Sequence, residues 1–95
     1  MSAGTRLVRA LEGMARSAGC HVRVAAASEH PWTSATFIGA RHALLLEAAP
    51  SPALAQWLAG LVDAEVAVPG HLVADLAVEP VPGGARVRAL TLLAA

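Results

Sequence analysis

Residues 32–47, WTSATFIGARHALLLE, constrain the fold more than any other stretch of the chain. Of the protein's two Trp and one Phe, this segment holds Trp32 and Phe37. It also carries three leucines in a row at 44–46 and a Gly-Ala-Arg-His break able to reverse the chain. The pattern predicts a β-hairpin at the middle of a sheet, with arms at 33–38 and 42–47 and a turn at 39–41. Consecutive leucines on one arm argue that it is covered on both faces.

The flanking sequence predicts helices. Over 5–18, Leu7, Leu11, Met14 and Ala18 recur at helical spacing, while Arg6, Arg9, Glu12 and Arg16 fall largely outside that stripe. Glu12 precedes Arg16 by one helical turn, the favourable orientation for a charge pair, and Gly19 offers a C-cap. After the hairpin, Pro50 stops the strand, Ser51 is a natural N-cap and Pro52 suits the first helical position, where its missing N–H costs nothing. Leu54, Trp57, Leu58, Leu61 and Val62 then form one apolar stripe, which marks Trp57 as a core or interface anchor.

Alternation supplies the remaining strands. Cys20, Val22, Val24 and Ala26 alternate with His21, Arg23, Ala25 and Ala27, predicting a strand over 20–28 that ends before Pro31. A short edge segment at 65–68 and a Pro69-Gly70 turn lead to a strand at 71–79. A turn-rich loop at 80–84 leads to a last strand at 85–93. Arg86 and Arg88 share one face of that strand, with Asp75 or Glu79 as cross-strand partners. No internal repeat is visible. The expectation is a single α+β domain over 1–95, a two-layer sandwich. Its sheet is mainly antiparallel and five-stranded, with two helices on one face, in the order α-β-β-β-α-β-β.

Composition narrows the function classes. Hydrophobic residues make up 56% of the chain and charged residues 15%, which excludes disorder and leaves apolar surface to spare. Seven basic residues, all Arg, balance seven acidic ones. The Arg-only usage and alanine excess read as the coding bias of a GC-rich bacterium. Net charge near zero gives no steering toward nucleic acid or anionic membrane, and it favours self-association. No apolar run reaches the roughly 18 residues that a span needs. Charged residues interrupt 1–20 too often for a signal peptide, and one cysteine makes no internal disulfide. The expected compartment is the cytoplasm.

No catalytic motif emerges. Cys20 and His21 are strand neighbours that point to opposite faces, and Ser28, Glu29 and His30 are contiguous where a triad needs convergence from distant positions. Arg23, Arg41, Arg86 and Arg88 lack the interleaved aromatics of a nucleic-acid surface. His30, His42 and His71 each lie at or beside a predicted turn, so with Asp75 they are the candidate metal ligands, although no short His spacing supports them. Nothing calls for a cofactor. The leading expectation is a small non-catalytic domain that forms a homo-oligomer or docks a protein partner. It would use either an edge strand or an apolar sheet face carrying Val73, Ala77, Ala25 and Ala27. The alternative is a small-molecule or metal-binding domain using the turn histidines.

Overall fold

Two serine-capped helices set the frame. Ser2 Oγ accepts a hydrogen bond from the Thr5 N–H at 3.1 Å and opens α1 (Ala3–Ser17); Ser51 Oγ accepts from the Leu54 N–H at 3.0 Å and opens α2 (Pro52–Leu61), with Pro52 in its first turn. Each helix is followed by an antiparallel hairpin: β1 (Arg23–Thr33) with β2 (Ile38–Glu47), and β3 (His71–Val81) with β4 (Gly84–Leu93). The computed structural model describes residues 1–94.

The two hairpins join through their second strands. Sheet order is β1-β2-β4-β3, every neighbour antiparallel, so β2 and β4 are central and β1 and β3 are edges. Both helices cover one face, giving the expected α+β two-layer class. On that face Leu7, Leu11 and Leu61 pack with Leu44, Leu46, Val87 and Ala89, while Ala15, Leu54 and Leu58 pack with Cys20 and Ala85 at the other end. Trp57 is half-buried against both clusters. The leucine run divides as the pleat requires: Leu44 and Leu46 are buried under the helices, and Leu45 faces outward.

The sheet has four strands among the described residues, not five. Strand 20–28 and the first residue of arm 33–38 belong to one strand, because β1 runs on through Pro31, paired with Ala40, to Thr33; Ile38, at the other end of that arm, opens β2 and pairs with Thr33. Pro31 is tolerated there since β1 is an edge, where an absent N–H need not break a ladder. The chain reverses at 34–37 instead of 39–41. Ser34 closes that turn, donating its N–H to the Phe37 carbonyl at 2.9 Å while its Oγ accepts from the Phe37 N–H at 3.1 Å. Segment 65–68 makes only a single bridge, Val68 to His71; Val66 and Val68 serve as buried plugs of the core. Pro80 likewise lies within edge strand β3. The second turn is Pro82-Gly83, with Gly83 at φ 79°, the left-handed geometry a type II turn needs at that position.

A repeat that the sequence hides is plain in the backbone. Each half is a Ser-capped helix, an edge strand with a bulge and an internal proline, and a central strand. Ser2, Ala25 and Pro31 of the first half stand at the same spacing as Ser51, Ala74 and Pro80 of the second, with Ala25 and Ala74 skipped at the two bulges. Each central strand also carries a glycine at its start, second in β2 and first in β4, pressed against the other strand: a Cβ on Gly39 would run into the Thr91 carbonyl, and one on Gly84 into the Leu46 carbonyl.

Candidate interaction surface

Register and pleat determine which side chains reach the uncovered face. Four cross-sheet rows follow from the pairings: Trp32, Gly39, Leu92 and Leu72; then His30, Arg41, Leu90 and Asp75; then Ser28, Ala43, Arg88 and Ala77; then Ala26, Leu45, Arg86 and Glu79. Among the described residues no helix lies on this side, and none of the residues in these rows is buried. The face grades from apolar at one end to charged at the other. At the apolar end Leu72 is 59% exposed on this face; at the same end of the sheet Phe37, in the 34–37 turn, is 49% exposed, and Ile38 and Leu93, which have the opposite parity, are 65% and 55% exposed. Concentration of exposed large apolar residues at one place is what distinguishes an interface from ordinary surface.

The polar part of the face is balanced internally. Arg23 pairs with Glu47 across β1 and β2, and Arg86 donates to Glu79 at 3.3 Å across β4 and β3. Arg41 places its guanidinium 6.0 Å from the Trp32 ring centroid, holding the indole at the edge of the apolar row. Arg88 lies opposite Ala77, not opposite an acid. A depression of about 300 Å³ opens among Ala26, Ser28, Ala43, Leu45, Arg86 and Arg88.

The four apolar residues expected on one face are split. Ala77 is on the open face, but Val73, paired with Thr91, and Ala27, paired with Leu44, have helix-side parity, and Ala25 sits in the bulge. Each bulge inserts one residue and inverts the alternation beyond it, so simple period-two counting fails across 25 and 74. Trp32, Leu90 and Leu92 are open-face residues outside the four expected from the alternation. The signal for the last two was present: leucines at 90 and 92 follow Arg86 and Arg88 at every second position.

The histidines do not converge. His30 is on the open face, His42 is buried beneath the helices, and His71 bonds through Nδ1 to the Pro69 carbonyl oxygen at 3.0 Å. Asp75 is on the open face, and no group of three His, Cys, Asp or Glu side chains comes together among the described residues.

His42 has a different role from a turn residue. It is 3% exposed, its Nε2 lies 2.8 Å from Thr91 Oγ1, and its Nδ1 has no hydrogen-bond partner. Glu29, its cross-strand neighbour, accepts from the Gly4 N–H at 3.1 Å and so sits on the N-terminus of α1, where a carboxylate is favoured. Thr91, His42 and Glu29 thus include the residue types of a nucleophile, a base and an orienting acid. The Thr91 hydroxyl is fully buried, however, and closed to any substrate. Burial lowers the His42 pKa, against an opposing pull from Glu29, and His71 adds to the lowering. Cys20 is buried ahead of β1, its Sγ 3.5 Å from the Ala15 carbonyl, as a small apolar core residue.

Comparison with known proteins adds no constraint, since no family model, curated protein or solved structure matches the chain. No helix among the described residues is long and apolar enough to cross a membrane.

Proposed function

We propose that this chain is a small non-catalytic assembly domain that binds a second copy of itself through the open face of its sheet. The observation that carries this reading is the apolar row Trp32, Leu92 and Leu72, on the sheet face opposite the two helices, where no residue of the four cross-sheet rows is buried. Area supports a second copy as the occupant. With strands about 4.8 Å apart and about 3.4 Å per residue, a four-stranded face ten residues long offers about 650 Å² per copy. Two copies bury about 1,300 Å², at the lower end of the roughly 1,200–2,000 Å² of stable interfaces. Charge supports it as well, because a face holding both signs with zero formal net charge on the chain does not repel its own image.

Edge-strand pairing is the weaker route. Both edges carry an internal proline and a bulge, the devices that keep sheet edges from recruiting another strand. The expected result is concentration-dependent dimerisation that Leu72→Asp abolishes in sedimentation equilibrium. Val62→Asp, at an exposed apolar position beside α2, leaves it intact. Equal loss in both variants would contradict the assignment to this face.

A second reading, a small-ligand domain, has one observation in its favour. The unpartnered Nδ1 of His42 lies on the side of a cleft of about 340 Å³ that is shared with Gly4, Glu29 and Arg9. Native mass spectrometry of protein purified without chelator tests it: a bound adduct lost in His42→Asn supports a ligand site, and a bare chain mass argues against one.

A further inference from the structure

Given the reading that the open face contacts a second copy, the register of the four strands also selects how the copies meet. We infer that the two-fold axis runs along the strands, so that β1 of one chain lies over β3 of its partner.

Two sheets packed face to face about a two-fold axis must have that axis in the plane between them, and aligned packing leaves two choices, along the strands or across them. An axis along the strands keeps each row opposite itself, reversed left to right. Trp32 then meets Leu72, Leu92 lies opposite Gly39, which projects no side chain toward it, and the His30 imidazole faces the Asp75 carboxylate. Arg88 lies over Ala43 and Glu79 over Ala26, so no like charges are opposed.

An axis across the strands swaps the rows end for end. It stacks Arg88 on its own symmetry mate, sets Asp75 against Glu79 and drives Trp32 onto Arg23. Like charges opposed across an interface exclude that alignment, and the apolar row would be matched to the charged end. The relative twist of aligned sheets, about 30°, loosens the outermost rows but preserves the pairing near the middle row, Ser28, Ala43, Arg88 and Ala77.

That middle row separates the two geometries in one experiment. Ser28 and Ala77 are both exposed and sit on opposite edge strands, too far apart within one chain to be joined. With the axis along the strands, Ser28 of one copy faces Ala77 of the other; with the axis across, Ser28 faces Ser28. The full-length variants Ser28→Cys and Ala77→Cys are treated with a short bifunctional maleimide, separately and as a one-to-one mixture, with the wild-type chain and its buried Cys20 as control. The arrangement predicts covalent dimer in the mixture, at least tenfold above either variant alone. Self-cross-linking of Ser28→Cys alone, or a dimer by sedimentation that no combination links, overturns the arrangement and leaves the open-face reading standing. A monomer at every concentration overturns both.

Discussion

The two faces of this sheet are built from the same four strands and have opposite chemistry. On the helix side the central strands present Leu44, Leu46, Ala85, Val87 and Ala89, all buried, and the polar pair His42 and Thr91 meets through Nε2 and Oγ1 at 2.8 Å. On the open side the same strands present Leu45, Leu90 and Leu92 among Arg41, Arg86 and Arg88, all in contact with solvent. The first face has the composition of a core; the second mixes arginines with exposed leucines and, on its edge strand, Trp32, residue types that accompany the open-face reading proposed above. Stability should therefore reside on one side and association on the other.

Substitutions that cross the two roles test that division. The largest stability effect is expected from Leu46→Ala, which removes a side chain 1% exposed at the centre of the core and should cost about 3 kcal/mol in chemical denaturation. Gly39→Ala or Gly84→Ala comes next. Each new methyl group meets a backbone carbonyl of the neighbouring central strand, at a cost of about 1–3 kcal/mol. Leu72→Asp should leave monomer stability within about 0.5 kcal/mol of wild type while removing the dimer. If it unfolds the chain instead, the two faces are not separable.

Acid should act through the covered face. His42 has a folded pKa below its ordinary 6.5, so the unfolded chain binds the proton more readily. Stability from this group is complete above pH 6.5 and declines as pH falls from there toward the folded value. His42→Asn should flatten that segment of the stability-against-pH curve, read by thermal melts in buffers of matched ionic strength. The smallest effect belongs to the open-face ion pair. Arg86 and Glu79 are 64% and 58% exposed, and Arg86→Ala should change monomer stability by less than about 0.5 kcal/mol.

Much of the architecture was legible because its signals are local. Ser51-Pro52 specifies a helix start by hydrogen bonding and fixed backbone angle, and the Leu7, Leu11, Met14 spacing specifies a buried stripe. Strand boundaries were not legible, because a proline reads as a terminator until the strand is known to be an edge. Pro31 and Pro80 both lie inside edge strands, and that knowledge exists only in the assembled sheet. Which residues share the open face is hidden for a related reason. A bulge reverses inward and outward parity, and nothing local to Ala25 or Ala74 announces one, so simple alternation places Val73 and Ala27 with Ala77, whereas in the sheet only Ala77 is on the open face. The Gly-Ala-Arg-His break predicts a turn at 39–41 and so puts His42 beside it; with the turn at 34–37, His42 is mid-strand and faces the core.

The central claim is that the open face is covered in solution by a second copy. Its most direct test is the absolute mass of the wild-type chain, by light scattering on a sizing column across a hundredfold range of loading concentration. The account predicts a mass that rises toward twice the 9.6 kDa of one chain as concentration increases. A mass that stays at 9.6 kDa throughout would contradict it.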